Sequence, residues 1–318
     1  MLQSTRPRQW PKNLLVFAAP LAGATLGRPD GFGYAVLAAV AFGSASAAVY
    51  LVNDLLDAER DRLHPLKRHR PVAAGLLPGR HAVVLAVLAA LCAIGVGIVI
   101  GEPLLVAAAA GYLCSSFLYS VWLKHVPFVE MVLVASGFLL RVLGGAAATH
   151  VRPSILFLLV CSLGALGVAV AKRYTELTSL GANAVTHRPV MRWYRPGGLR
   201  AGQAVIGALM LVTYLMWAFG ESGGTRVWHL ASAIPLALAL ARFEVLTARR
   251  TVRQVEDMII RDGPMLLCEV VWLGLFCGGL YMWPLHVALT LGDNGEDSAP
   301  RRHERDRPGD FVGLGTRC

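Results

Sequence analysis

Residues 33–61 read GYAVLAAVAFGSASAAVYLVNDLLDAERD, an apolar run of membrane-spanning length that ends in a cluster of carboxylates. Asp54, Asp57 and Asp61 are spaced i, i+3, i+7. On an α-helix they fall within an arc of roughly 60° on one face and about 10 Å of rise. Carboxylates on one face repel one another, and Mg²⁺ prefers a few carboxylates, several waters and substrate phosphates. The stretch therefore predicts a transmembrane helix that ends in a magnesium–diphosphate site. The alternative interpretation is a polar helix end that is merely acidic.

A basic loop follows the carboxylates. Pro65 and Pro71 interrupt helix around Lys67, Arg68 and Arg70. These three side chains donate hydrogen bonds and accept none, so they suit phosphate oxygens. An acidic face followed by a basic loop is the order expected for a metal with a diphosphate. Alternatively, these cations only determine topology, since basic residues gather at one edge of a membrane.

The whole chain has the composition of a polytopic membrane protein. Of its 318 residues, 55% are hydrophobic and 16% are charged, and the mean hydropathy is +0.55. Soluble domains carry about 25% charged residues. Apolar stretches of about 20 residues recur. We predict nine spans, near residues 14–27, 33–56, 80–101, 103–122, 127–149, 154–177, 200–220, 227–246 and 264–285. The expected fold is therefore an all-α membrane protein with nine transmembrane helices around a cytoplasm-facing active-site cavity.

The distribution of Lys and Arg predicts the orientation. Basic residues concentrate in the loops on the side of the acidic motif, whereas the opposite loops carry only Arg28, Arg152 and Arg226. We expect the motif to face the cytoplasm from the cell (plasma) membrane. The net charge of +10 is accounted for by the loops and the tail, so no nucleic-acid partner is required. Residues 1–288 form the predicted transmembrane domain, and 289–318 form a polar tail that we expect to be disordered.

A second charged group closes the sixth predicted span. Lys172 and Glu176 are i, i+4 neighbours, and Arg173 lies three residues before Glu176. This could be a surface ion pair, which contributes only about 0–1 kcal/mol. At a span end facing the acidic motif, however, Glu176 could complete a metal site, and Lys172 and Arg173 could hold a phosphate. Lys124, at the cytoplasmic end of the fourth span, is another phosphate candidate.

Two further charged positions are ambiguous. Arg141 lies within the fifth span, where an ionisable residue is a functional hypothesis by default, but its depth slightly favours a structural role. In the last cytoplasmic loop, Asp257 next to Glu256 has Arg253 and Arg261 at i−4 and i+4, a pattern typical of a self-paired helix.

The motif Asn53-Asp54-x-x-Asp57-x-x-x-Asp61, followed by His64-Pro65-x-Lys67-Arg68-x-Arg70-Pro71-x-Ala73-Ala74-Gly75, resembles the first motif of the UbiA superfamily of intramembrane transferases. Further matching pieces are RPRQWPKN at 6–13, KRYTEL at 172–177 and EDMIIRD at 256–262. They are most similar to the branch that uses phosphoribosyl diphosphate. The resemblance covers about residues 6–285 and implies Mg²⁺ on the three aspartates. It implies substrate contacts from Lys12, Asn13, Asn53, Lys67, Arg68, Arg70, Lys124, Arg141, Lys172, Arg173, Tyr174 and Glu176.

The activity that this resemblance implies is a pentosyl transfer. A 5-phosphoribosyl group would move from phosphoribosyl diphosphate to polyprenyl (decaprenyl) phosphate, with release of diphosphate, for cell-wall arabinan precursor synthesis. One departure fits this branch. Prenyl-diphosphate users usually carry a second aspartate-rich motif, whereas here the corresponding place offers Glu176 with two cations, which suits a donor with an additional 5-phosphate.

Two other functions remain open. One is a UbiA-type prenyltransferase that moves a polyprenyl group from its diphosphate to an aromatic or other acceptor. The other is a transporter or lipid-binding membrane protein, against which stand the lack of a clear internal repeat and the one-sided charges. The sequence leaves open whether the chain forms a homo-oligomer.

Overall fold

The computed structural model describes residues 7–63, 67–181, 184, 188–249, 255, 259 and 261–282, with side chains from residue 12 onward. In this part of the chain the regular structure is entirely helical. Eight helices are long and apolar enough to cross a membrane. They are α1 (Pro29–Leu56), α2 (Gly79–Val99), α3 (Pro103–Val121), α4 (Val129–Ala148), α5 (Ile155–Leu180), α6 (Pro196–Gly220), α7 (Gly223–Ala248) and α8 (Gly263–Cys277), the last extended by a π-helical turn, Gly278–Met282. The predicted all-α, multi-pass membrane fold is confirmed.

The first of the nine predicted spans differs from the expectation. It is a 3-10 helix, Pro7–Phe17, followed by a short α-helix, Ala18–Ala22. The chain turns at Ala24, which has a left-handed φ of 51°, so the helix ends before the predicted boundary at residue 27. We call Pro7–Ala22 the N-terminal segment. The other eight predicted spans each overlap one of the long helices.

Local sequence signals explain several helix boundaries. Proline occupies the first turn of α1, α3, α6 and α8, where its missing N–H costs nothing. Ser154 caps α5 by accepting a hydrogen bond from the Phe157 amide at 3.2 Å. Asp262 caps α8 in the same way and also forms a two-bond ion pair with Arg242 of α7, at 3.0 and 2.8 Å.

Small residues allow the N-terminal segment to pack closely. A Cβ atom on Gly145 of α4 would overlap the backbone carbonyl of Val16, and one on Gly144 would overlap the ring of Phe42 on α1. These glycines therefore let α1, α4 and the N-terminal segment come together around a core that includes Val16, Phe42, Leu105 and Tyr112.

Each long helix packs against its neighbour in sequence, and α1 also contacts α3 and α4. In the π-helical turn that follows α8, the Tyr281 hydroxyl donates to the Leu21 carbonyl at 3.5 Å. The end of α8 therefore approaches the N-terminal segment. Ion pairs join several helix ends: Lys124, just after α3, lies 3.9 Å from Asp57, just after α1, and Arg173 near the end of α5 lies 2.6 Å from Glu130 at the start of α4. As a result, the end of α1, the end of α3, the start of α4 and the end of α5 lie at the same end of the bundle, where the predicted site residues concentrate.

Candidate active site

The acidic motif straddles the end of α1. The helix ends one residue before Asp57, and a short helix, Ala58–Arg62, follows. The Asp57 amide donates to the Asn53 carbonyl at 3.0 Å, and the Asp61 amide donates to the Asp57 carbonyl at 2.8 Å. Asp57 itself has φ −97° and ψ 3°, which are not α-helical values, so the regular helix is interrupted at this residue and the three aspartates do not lie on one continuous helix. Asp54 and Asp61 are 2% and 3% exposed.

Arg70 from the basic loop bridges two of these carboxylates. Its Nη1 atom lies 3.3 Å from Asp54 Oδ1 and 2.5 Å from Asp61 Oδ2. One nitrogen within reach of both groups means that the two carboxylates are close enough to share a single cation. The loop itself is held by Arg62, whose Nε donates to the Ala73 carbonyl at 3.4 Å.

Three further predicted cations lie at the rim of this group. Lys67 and Arg68 are exposed in a 3-10 turn, and Arg68 Nε donates to the His69 ring at 3.3 Å. Lys124 follows α3 in another 3-10 turn, and its Nζ lies 3.9 Å from Asp57 Oδ1. The Lys124 and Asp57 side chains are 23% and 35% exposed. The third carboxylate of the motif is therefore accessible to solvent and faces a second cation.

A buried ion cluster forms around Glu130, which is fully buried at the start of α4. Arg173 Nε of α5 lies 2.6 Å from Glu130 Oε1, and Arg188 Nη1 donates to Oε2 at 3.1 Å. The Tyr194 hydroxyl donates to Oε1 at 3.2 Å. Arg173 also donates to Glu176 at 2.5 Å. These partners satisfy a carboxylate whose burial would otherwise be costly.

Tyr194 also fixes the entry to α4. Phe128, just before the helix, has a φ of +63°, which bulky residues rarely adopt. Its amide donates to the Tyr194 hydroxyl at 2.9 Å, and the two rings meet edge to face with centroids 5.5 Å apart. Burial raises the pKa of Tyr194 to about 12, so the hydroxyl stays protonated near neutral pH and can donate to Glu130. The segment 188–194 is thereby anchored on α4.

The other residues of the second predicted group differ in exposure. Lys172 is half-buried, and the Glu176 side chain is 31% exposed. Tyr174 is 5% exposed and packs in an apolar cluster with Met131 and Met191. Lys172 and Glu176 therefore keep access to solvent, whereas Tyr174 and Arg173 are mostly enclosed.

The sequence interpretation did not include Glu130, Arg188 and Tyr194 among the site residues. Glu130 could have been found, because an ionisable residue inside an apolar span is a signal of function. Arg188 and Tyr194 lie 58 and 64 residues further along the chain. No local pattern links positions at such separations.

Arg141 forms a separate cluster within the bundle. Its Nε donates to Asn13 Oδ1 at 2.9 Å, and its Nη1 donates to the Gly137 carbonyl at 2.6 Å. Its Nη2 donates to the hydroxyls of Ser46 and Tyr112, both at 2.9 Å. Arg141 is 4% exposed, and these partners are all uncharged. The structure thus brings together Asn13 and Arg141, two of the predicted substrate-binding residues, in a buried polar junction.

This junction lies apart from the acidic motif. Ser46 precedes Asp54 by eight residues on α1, which corresponds to about 12 Å of helical rise. Lys12 and Asn53 are half-buried, next in sequence to Asn13 and Asp54 respectively. His64, Glu256 and Asp257 fall outside the described residues.

The acidic motif suits a divalent cation that completes its coordination from elsewhere. Asp54 and Asp61 reach one common position, and Asp57 lies at the accessible edge. Within the described ranges, no group of three carboxylate, histidine or cysteine side chains is arranged to hold a metal. Mg²⁺ is usually bound through one or two carboxylates together with waters and substrate phosphates, so this donor set fits it.

A helical membrane bundle with an acidic motif and cations at one end is the arrangement expected for an intramembrane transferase. The sequence profile of the UbiA prenyltransferase family matches residues 14–260. The chain belongs to this family and is a transferase.

Relatives that match most of the chain include two from mycobacteria. The decaprenyl-phosphate phosphoribosyltransferase of Mycobacterium tuberculosis (strain CDC 1551 / Oshkosh) is 34% identical over 279 residues, which cover 86% of this chain and 91% of the relative. The protein of the same name from Mycolicibacterium smegmatis is 32% identical over 296 residues, covering 88% and 92%.

Among solved structures, a UbiA homolog from Archaeoglobus fulgidus bound to GPP and Mg²⁺ is similar in fold. The TM-score is 0.64 at 16% identity, and the match covers 88% of this chain and 97% of the other. At this identity the similarity concerns the fold.

Proposed function

We propose that the chain transfers a 5-phosphoribosyl group from phosphoribosyl diphosphate to polyprenyl phosphate, as in decaprenyl phosphate, with release of diphosphate. The observation that carries the proposal is the similarity, over most of both chains, to the phosphoribosyltransferases of two mycobacteria. The accessible cations around the acidic motif support it, because both substrates carry phosphate groups.

In this proposal Asp54, Asp57 and Asp61 bind Mg²⁺ and are the catalytic group. When bound, the metal would supply charge neutralisation for the departing diphosphate. Arg70, already within reach of two of these carboxylates, is placed to contact diphosphate oxygens next to them. Lys124 is placed to do the same beside Asp57.

The nucleophile needs no protein base. A phosphate oxygen of the lipid is already anionic near neutral pH, because the second pKa of a phosphate monoester is about 6. The protein therefore has to bind and align two substrates, one soluble and one membrane-bound, and alignment alone can contribute much of a rate enhancement. We propose that this takes place at the cytoplasmic face, since the basic loops share that end of the bundle.

A direct test is to give the purified full-length chain radiolabelled phosphoribosyl diphosphate with polyprenyl phosphate and Mg²⁺. Parallel reactions contain geranyl diphosphate with aromatic acids, because the similar archaeal structure holds GPP. We expect a phosphoribosylated lipid in the first reaction. Turnover only in the second would replace the proposal by prenyl transfer.

A further inference from the structure

The guanidinium of Arg188 is held in place by hydrogen bonds and is still accessible to solvent. Its Nη1 donates to Glu130 at 3.1 Å and its Nη2 to the Tyr119 hydroxyl at 3.3 Å. These bonds use two of the five N–H groups of an arginine. The side chain is 25% exposed. We propose that Arg188 binds a phosphate monoester group of a substrate, and that Glu130 and Tyr119 are positioning residues that orient it. The inference rests on the proposed function, because it concerns a substrate of that same site.

The end of α3 places Arg188 beside the acidic motif. Tyr119, which contacts Arg188, lies in the last turn of this helix, and Lys124, which approaches Asp57, lies five residues further along. The 3-10 turn that carries Lys124 packs on the 3-10 turn Pro189–Trp193, directly after Arg188. Arg188 therefore lies next to the part of the site where a substrate bound at the aspartates would be located.

Arg188 is better suited to this role than Arg173. Arg173 is 8% exposed and lies between two carboxylates, with Nε 2.6 Å from Glu130 and Nη1 2.5 Å from Glu176. The nearest approach of Arg188 to Glu176 is 4.0 Å. Arg173 thus serves mainly to neutralise the buried Glu130, which leaves Arg188 as the arginine of this cluster that can meet a ligand.

The charge of the cluster determines how such a ligand would be recognised. Two arginines and two glutamates sum to zero, so attraction by net charge is weak. Recognition then depends on directed N–H donors, and the planar fork of an arginine matches two phosphate oxygens, which a lysine ammonium does not. A phosphate monoester occurs in both proposed substrates, as the 5-phosphate of the donor and as the head of the lipid.

The test compares Arg188→Ala, Arg188→Lys and Tyr119→Phe in the full-length chain, reconstituted in liposomes. Arg192→Ala is the matched control, since Arg192 is exposed in the same segment. Its Cζ atom lies over the ring of Trp193, 5.3 Å from the ring centroid. The measurement is KM for phosphoribosyl diphosphate and for polyprenyl phosphate separately, with kcat. We expect Arg188→Ala to raise one of the two KM values at least about tenfold, as for one lost charge-assisted hydrogen bond. Arg188→Lys should not restore it, Tyr119→Phe should raise the same KM by a smaller factor, and Arg192→Ala should change neither.

The outcomes separate the source of the phosphate. A rise confined to the donor KM assigns Arg188 to the 5-phosphate, and a rise confined to the lipid KM assigns it to the lipid head. Unchanged KM values for both substrates in Arg188→Ala, whatever happens to kcat, would overturn the inference.

If the wild type does not turn over phosphoribosyl diphosphate, the proposed function fails, and the inference is tested by binding instead. In that case ribose 5-phosphate or a short-chain polyprenyl phosphate should raise the thermal unfolding midpoint of the wild type and of Arg192→Ala but not that of Arg188→Ala. An equal rise in all three proteins, or no rise in the wild type with either compound, would reject it.

Discussion

At the scale of single residues, the three aspartates of the acidic motif differ in environment. Asp54 and Asp61 are buried beside Arg70, whereas Asp57 is accessible and faces Lys124. Since amide side chains are isosteric but do not neutralise a cation, Asp54→Asn and Asp61→Asn should keep the fold and lower kcat/KM more than about 100-fold, which is about 2.7 kcal/mol. Steady-state kinetics with saturating Mg²⁺ measures the effect.

The control for this prediction is Glu59→Gln, an exposed carboxylate in the same short helix, which should change little. Excess EDTA should abolish the activity of the wild type, and added Mg²⁺ should restore it. Full activity in EDTA, or in either aspartate variant, would show that the motif is not required for the reaction.

Arg141 should matter to stability more than to substrate affinity. Its four hydrogen bonds join the N-terminal segment, α1, α3 and α4 at a site with 4% exposure. Arg141→Met keeps the length of the side chain but leaves the polar groups of Asn13, Ser46 and Tyr112 without this donor, at a cost of about 1–3 kcal/mol for each group left unpaired. We expect a lower thermal unfolding midpoint in detergent and nearly unchanged KM values. A raised KM with an unchanged midpoint would instead support the substrate role that the sequence suggested.

At the scale of elements, the tight contact between α4 and the N-terminal segment provides a comparison of two glycines. Gly145→Ala places a methyl group against the Val16 carbonyl, so the helix or the segment must shift, and we expect a clear loss of thermal stability. Gly207→Ala, on α6 with open space around its Cβ position, should be neutral or slightly stabilising. Thermal unfolding, followed by size-exclusion chromatography, measures the stability of both variants. Equal losses of stability would show that the contact between Gly145 and Val16 can accommodate a methyl group.

The helices also show which features local sequence can predict. Eight spans were predicted with boundaries within a few residues, because a membrane helix is specified by its own run of apolar residues. The predicted first span begins later, at residue 14, and ends later, at residue 27, than the N-terminal segment, because the turn at Ala24 depends on backbone hydrogen bonds such as Thr25 N–H to the Pro20 carbonyl, at 3.0 Å. The acidic motif was visible as a helical spacing. The contacts of Glu130 were not, because they join it to residues far apart in the sequence, on α5 and in the segment before α6.

At the scale of the whole molecule, the site residues lie at one end of the bundle. This location predicts an enzyme whose active site opens to only one side of the membrane. In a cysteine-free background, Arg192→Cys should react with a membrane-impermeant thiol reagent only in inverted vesicles. Arg152→Cys, exposed at the opposite end, should react only from outside intact cells. Labelling of both positions from the same side would contradict the topology, and the reversed pattern would place the site outside the cell.

The two buried charges of α4 also differ in the order of their biosynthesis. The partners of Arg141, at positions 13, 46, 112 and 137, all precede it in the chain, so they have been synthesised when this arginine leaves the ribosome. Those of Glu130, at 173, 188 and 194, are all translated later. The hydrogen-bond acceptors of the costlier charge, deep in the bilayer, are thus all present in the chain before that charge is added. The glutamate, in the first turn of α4, can stay hydrated at the membrane interface until its arginines arrive.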